Sequence, residues 1–255
     1  MKKIIVERLY RIEAEEDVLI LFACESGSRA WGFPSADSDY DVRFLYVRPL
    51  DWYLSIEEKR DVIEVPIEGD LDIGGWDIKK ALRLFRKSNP PLFEWLQSPI
   101  VYLERGDIAA RMRTIAQRYY SPVACIYHYL HMAKGNFRQY LKGDKVKTKK
   151  YFYVLRPLFA IKWIEAGFGV APTSFETLLD KVDVAHELKD VIRGLIKLKQ
   201  QGNELDYGDP IPIIAQFIEQ ELARLEQGVD AAPNAAPLQE MDQIFRHCIT
   251  MKNEG

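Results

Sequence analysis

Every stretch of this chain with strand character falls before about residue 105, and from there on only helical periodicities appear. That asymmetry makes the chain an N-terminal α/β unit of about 100 residues followed by a helical unit. "VLILFAC" (18–24) is a continuous apolar run, the pattern of a strand buried on both faces. A second strand is expected at 40–47, a third in "DVIEVPI" (61–67), and a fourth in "LDIGG" (71–75), entered through a tight turn at Glu68-Gly69-Asp70. Residues 1–16 carry Ile4, Ile5, Leu9 and Ile12 on one helical side. From Asp77 the period becomes helical again through Ile78, Ala81, Leu82 and Phe85, and "SNPP" (88–91) stops it before a short helix in "PLFEWLQ". Further helices are predicted at 106–120, 121–141, 147–166, 174–181, 183–201 and 210–227. "GVDAAPNAAP" (228–237) reads as a linker, ahead of a last amphipathic piece with Ile244, Phe245 and Ile249. The expected domains are 1–105 and 106–255.

The chemistry concentrates in "GSRAWGFPSADSDYDVRF" (27–44). Asp39 and Asp41 are two apart at the start of the second strand, so both side chains point to one face. Two carboxylates so close repel unless solvent or a cation lies between them. Asp72, between Leu71 and Ile73 on the fourth strand, faces away from its apolar neighbours and joins them if the two strands are adjacent. Asp77 competes for that third place, but it opens a helix, where an aspartate commonly caps. Three hard oxygen ligands suit Mg²⁺ or Mn²⁺ rather than zinc, and two such ions clamp an in-line phosphoryl displacement. Gly27 lets the backbone approach a phosphate, and the Ser28 hydroxyl with the following amides donates to its oxygens. On this reading the turn would hold the triphosphate of a nucleotide while the acids hold the metals.

Composition narrows the partners. The net charge of −3 gives no global pull toward nucleic acid or an anionic membrane, so any polyanion site is a local basic patch. Cys24, Cys125 and Cys248 have no paired spacing, which suits a reducing cytoplasm and buried thiols. The N-terminus is interrupted by acids too early for a signal peptide, and no run reaches the roughly 18 apolar residues of a spanning helix. A soluble, cytoplasmic protein is expected.

Gly27-Ser28, a ten-residue gap, Asp39-Tyr40-Asp41-Val42 and a later Leu71-Asp72-Ile73 together resemble the fingerprint of the DNA polymerase beta superfamily of nucleotidyltransferases. Ser26 stands where that pattern prefers a hydrophobic residue. "WDIKKALRLFRKSNPPLFEWLQSPIVY" and "KKYFYVLRPLFAIKWI" are similar to the bacterial RNA-repair-associated polymerase beta family, and the likeness spans roughly residues 20 to 165. The resemblance implies an α+β fold, a mixed sheet with flanking helices followed by an all-α C-terminal domain. It also implies metal-dependent transfer of a nucleotidyl group from a nucleoside triphosphate, ATP among them, with release of pyrophosphate. The acceptor stays open among an RNA end, a protein hydroxyl and a small molecule. The alternative is a non-catalytic nucleotide-binding sensor using the same pocket.

Arg29 and Arg43 flank the acids, and Arg43, two beyond Asp41, shares their face. A basic segment, "KGNFRQYLKGDKVKTKKYFYVLR" (134–156), interleaves lysines with Tyr140, Tyr151 and Tyr153. Lys150 and Arg156, at the start of the 147–166 helix, are the candidate cations for β- and γ-phosphates. Asn89 and Glu94 read as capping and packing residues and Trp95 as core. The four histidines do not fall at a ligand spacing.

Overall fold

The structure, a computed structural model, describes residues 1–201, 207–226, 228 and 236–254. Its chain divides into two compact units, one of residues 1–30, 39–120 and 235–255, the other of residues 31–38 and 121–234.

The first unit opens with helix α1 (Lys2–Glu16), which buries Ile5, Leu9 and Ile12 and stops at Asp17 in the left-handed region. Strand β1 (Leu19–Glu25) is buried on both faces beyond its first residue, as its unbroken apolar run demands. The short α2 (Gly27–Trp31) follows, then β2 (Tyr40–Val47), α3 (Leu50–Tyr53), β3 (Val62–Glu64) and β4 (Leu71–Asp77). Helices α4 (Ile78–Arg86) and α5 (Pro90–Leu96), strand β5 (Val101–Glu104) and α6 (Ile108–Tyr119) complete the continuous part. The five strands form one mixed sheet in the order β3-β4-β2-β1-β5. Only the β2–β4 pair is parallel, and the other three are antiparallel. One sheet face packs on α1, with Ile20, Val42, Phe44, Tyr46 and Ile73 under Ile5, Leu9 and Ile12.

The second unit carries α7 (Pro122–Tyr140), a two-residue strand β6 (Val146–Lys147), a 3₁₀ turn at Thr148–Lys150 and α8 (Tyr151–Glu165). Helices α9 (Phe175–Lys181) and α10 (His186–Gln200), strand β7 (Tyr207–Gly208) and α11 (Pro212–Leu225) follow. Helix α8 is apolar nearly all round and forms the centre. Phe33 inserts here, its ring 4.7 Å from Phe152 and 5.8 Å from Phe175.

The last helix, α12 (Leu238–Glu254), returns to the first unit. Phe245 meets the Tyr53 ring edge-on at 4.9 Å, and Lys252 pairs with Asp17 at 2.9 Å. The division expected at residue 105 therefore differs from the compact units: α6 and α12 belong with the sheet because their apolar faces pack there, and 31–38 belongs with the helices. The sequence reading also omitted β5, a four-residue edge strand beside β1, and the β6–β7 pair beyond residue 105. Most of the 228–237 linker lies outside the described residues.

Candidate active site

The register of the parallel pair sets Asp41 of β2 directly opposite Asp72 of β4. Strand β4 alternates buried and partly exposed residues, which puts Leu71, Ile73 and Gly75 in the core and Asp72, Gly74 and Trp76 on the other face. Asp39 precedes β2 and is exposed, and its charge acts on Asp41 together with that of Asp72. Burial raises the Asp41 carboxyl above the usual carboxylate range, Asp72 and Asp39 push it the same way, and Arg43 and Arg29 oppose them.

Gly27 is fixed in place by this acid. Its φ is +59°, and a Cβ there would lie 2.0 Å from Asp41 Oδ2. Only glycine meets both demands, a left-handed backbone and contact with a carboxylate. The adjacent Ser26 amide donates to the Asp41 carbonyl at 2.8 Å. Beneath them lies Glu25, fully buried at the end of β1. Its Oε1 accepts the Asp41 amide at 2.7 Å, its Oε2 accepts from the Tyr102 hydroxyl, and its carbonyl accepts from Ser98 Oγ at 2.6 Å. Burial raises the Glu25 carboxyl, and the hydrogen bonds from Tyr102 and the Asp41 amide partly offset the shift.

Arg43 lies on the acid face, as its position two beyond Asp41 requires. Its Nη2 donates to Asp72 Oδ2 at 2.7 Å and approaches Asp41 Oδ1 at 3.6 Å, while Nη1 donates to the Asp72 carbonyl at 3.1 Å. Asp77, the competitor for the third place, is buried at the far end of β4. It caps α4 by accepting from the Lys79 amide at 2.8 Å and from the Tyr53 hydroxyl at 2.7 Å. Its oxygens are thus turned to structure.

Hard carboxylate oxygens on neighbouring strands, half-exposed and mutually repelling, match a magnesium or manganese ion in chemistry. They do not form a closed cage: among the described residues no group of three histidine, cysteine, aspartate or glutamate side chains converges enough to hold a metal. Arg43 is the cation in ion-pair contact with both acids. The donor set fits a divalent ion shared with a ligand that brings its own oxygens, and does not fit an all-protein site.

The other candidates fall as follows. Ser28 is partly exposed in α2. Arg29 donates from Nε to the Asp39 carbonyl at 3.1 Å and stacks its guanidinium 3.7 Å over the Tyr40 ring, which ties the glycine-serine turn to the start of β2. Lys150 and Arg156 belong to the helical unit. Lys150 Nζ sits over the rings of Tyr153 at 4.2 Å and Tyr140 at 4.6 Å, its pKa lowered by burial and by Lys147 and Lys149. Arg156 is 1% exposed, donates to the carbonyls of Pro172 and Thr173, and lies 5.1 Å from the Trp31 ring. Its guanidinium thus holds the chain after α8.

Glu25 and Tyr102 escaped the sequence reading. The signal was a charged residue closing an otherwise apolar strand, "LILFACE". Trp95, read as core, is indeed buried, and it also stacks on Trp76, with ring centroids 4.0 Å apart.

A five-stranded mixed sheet that sets Asp41 beside Asp72, with a glycine-serine turn against them, is the arrangement expected of a polymerase beta-type nucleotidyltransferase fold. The sequence model of the RNA repair pathway DNA polymerase beta family matches residues 1–247, and the chain belongs to that family. The resemblance read from residues 27–44 and 71–73 is thereby borne out. The chain is 51% identical over 225 residues to "Uncharacterized protein YcgL" of Bacillus subtilis (strain 168), covering 88% of this chain and 86% of that protein. Among solved structures, a nucleotidyltransferase-like protein from Exiguobacterium sibiricum 255-15 aligns over 88% of this chain and 73% of that one, at 14% identity and a TM-score of 0.31. No helix among the described residues is long and apolar enough to cross a membrane.

Proposed function

We propose that this protein transfers a nucleoside monophosphate from a nucleoside triphosphate to an acceptor hydroxyl, with an RNA end as the favoured acceptor. The observation that carries the reading is the in-register pairing of Asp41 with Asp72, with Gly27 pressed against Asp41 Oδ2. The RNA end is supported by the description of the family.

The residues divide the work. Backbone amides at the Gly27-Ser28 turn and the Ser28 hydroxyl donate to triphosphate oxygens, and Arg29, anchored on Tyr40 and the Asp39 carbonyl, holds a fixed positive charge beside them. Asp39, Asp41 and Asp72 would hold Mg²⁺ or Mn²⁺, which when bound supplies charge neutralisation at the phosphates. The acceptor oxygen forms its bond to the α-phosphorus as the α–β phosphoanhydride bond breaks. Pyrophosphate leaves with the bonding electron pair, and the acceptor proton passes to a carboxylate, for which Asp72 is the candidate. Catalysis is positioning and charge stabilisation. Glu25 acts through Asp41, fixing the backbone that aims it. In the helical unit, Lys150 and Arg156 stay candidate phosphate cations, Arg156 the less accessible of the two.

The test is pyrophosphate release with each of the four ribonucleotides, in Mg²⁺ or Mn²⁺, with and without short RNA, beside an Asp39→Ala, Asp41→Ala double variant. Release that vanishes in the variant supports the transfer reading; no release in any condition speaks against it. One observation favours a non-catalytic nucleotide sensor: Arg43 already neutralises Asp72 at 2.7 Å. Nucleotide binding that needs the acids but never yields pyrophosphate would select that reading.

A further inference from the structure

On the side of the acids away from β1, the sheet face opens into a cavity of about 380 Å³ lined by Arg43, Glu64, Asp72, Gly74, Trp76 and Trp95, among others. All belong to the first unit. Asp72, Gly74 and Trp76 follow one another along one face of β4, and Arg43 and Glu64 are the register partners of Gly74 from the strands on either side.

The two adjacent glycines of β4 do different things. A Cβ at Gly75 would lie 2.2 Å from the Phe44 ring, so packing in the core requires that glycine. A Cβ at Gly74 would meet nothing closer than 3.8 Å, so packing does not require it. Its effect is to leave the cavity floor without a side chain of β4 between an acid and an indole, with the Arg43 guanidinium alongside. At the far wall, Trp95 is 6% exposed and backs Trp76 with centroids 4.0 Å apart, leaving Trp76 partly exposed toward the cavity. A tryptophan braced by a second indole, beside a strand position that has no side chain of its own, is a stacking platform for a planar ring.

The ends of the cavity select the ring. Asp72 and Trp76 are four residues apart on a strand, or about 13 Å between their backbones. A ring stacked on Trp76 whose reactive oxygen reaches Asp72 must therefore carry that oxygen on an attached group. A nucleoside does this, with its hydroxyls on the sugar. A tyrosine does not, because its hydroxyl is on the ring. The volume lies at the small end of ligand pockets and suits one nucleoside rather than a paired end.

Sheet order assigns which nucleoside. The Gly27-Ser28 turn follows β1, on one side of β2, and the cavity lies on the other side, over β4 and β3. In an in-line displacement the attacking and leaving oxygens lie on opposite sides of the phosphorus. Resting on the nucleotidyl-transfer reading, in which the turn holds the departing pyrophosphate, we infer that this cavity binds the 3′-terminal nucleoside of a single-stranded acceptor. Its base stacks on Trp76 and its ribose hydroxyl turns to Asp72.

The experiment measures binding of a 5′-fluorescein single-stranded RNA hexamer by anisotropy, and of a non-hydrolysable nucleoside triphosphate separately. The full chain is used as wild type, Trp76→Ala and Trp76→Phe, each checked by thermal melting. A second hexamer is abasic at its 3′ end. Trp76→Ala is expected to weaken the intact hexamer about tenfold, within the range of a lost stacked base. Trp76→Phe keeps most of the affinity and serves if the alanine variant fails to fold. The abasic end should weaken wild type by a similar factor and Trp76→Ala no further, while triphosphate affinity is unchanged in both variants.

Hexamer binding that ignores Trp76 or the terminal base overturns the assignment, and so does a wild type that does not bind the hexamer. A loss confined to the triphosphate also overturns it, by giving the cavity to the donor base. Full coupling between Trp76 and the terminal base without pyrophosphate release keeps the cavity assignment and refutes transfer, so the two failures are distinguishable.

Discussion

The amide of Asp41 donates to Oε1 of Glu25 at 2.7 Å, so the strand that carries the acid is anchored on a second, wholly buried acid. Glu25→Ala leaves that amide unpaired and is expected to destabilise the fold by about 1–3 kcal/mol and to reduce pyrophosphate release. Glu25→Gln retains an acceptor and should keep both fold and most activity. Denaturant melts beside the release assay test this; an alanine variant as active as wild type would remove Glu25 from the machinery.

Gly27→Ala meets two obstacles, the +59° backbone and the Asp41 oxygen 2.0 Å from the new methyl. A non-glycine residue forced into such a conformation costs about 1–3 kcal/mol, and here Asp41 must also move. We expect a lower melting temperature and at least a tenfold loss of release. Wild-type activity in Gly27→Ala would mean that the contact is not needed.

Asp41 yields a prediction with a definite sign. Its carboxyl is raised by burial first, then by Asp72 and Asp39. A group whose folded pKa exceeds its unfolded one contributes stability that is full below the unfolded value and is lost as pH rises through the folded value. The ionised form is therefore a burden at neutral pH. Asp41→Asn should melt higher than wild type at pH 7.5 without added metal, by about 2 °C, even as it abolishes release. The difference should vanish below about pH 4. A variant that melts lower at pH 7.5 contradicts this account.

Arg43 neutralises Asp72 at 2.7 Å and lies 3.6 Å from Asp41. Removing it should leave a more negative pair, so Arg43→Gln is expected to bind Mn²⁺ several-fold more tightly than wild type and to melt lower in the absence of metal. Titration of Mn²⁺ by its paramagnetic signal provides the check. Weaker binding in the variant would show that Arg43 orients the carboxylates rather than competing for them.

Arg156 separates a structural cation from a ligand-binding one. Its guanidinium is buried on the carbonyls of Pro172 and Thr173. Arg156→Lys cannot reproduce that planar fork and should lower the melting temperature while leaving the KM for nucleotide unchanged. A raised KM without a stability change would support the phosphate assignment instead.

Much of the fold was legible because the patterns were local. The apolar run at 18–24, the alternation in β4, and the caps Asp77 and Asn89 all act within a few residues, and the structure has each of them. The pairing of Asp41 with Asp72 followed only if two strands were neighbours, which no local pattern fixes; the register supplies it. The burial of Arg156 was not anticipated because a basic residue near a helix start suggests a surface. Its neighbours "VLRPLFAI" are apolar on all sides, and that run marks a buried helix. Glu25 was missed because its partners, the Asp41 amide and Tyr102, lie 16 and 77 residues away. Strand β5, four residues at a sheet edge, is too short to declare a period.

Helix α12 sets a timetable for the birth of this protein. The acids and the glycine turn are all translated by residue 77 and the sheet is complete with β5, yet Phe245 and Lys252, which close onto Tyr53 and Asp17, follow only after the helical unit. On the ribosome the acid-bearing unit waits, with the flank that receives α12 uncovered, while the whole helical insertion is synthesised. A nascent chain released early would carry every residue of the acidic site and still lack the helix that finishes its fold.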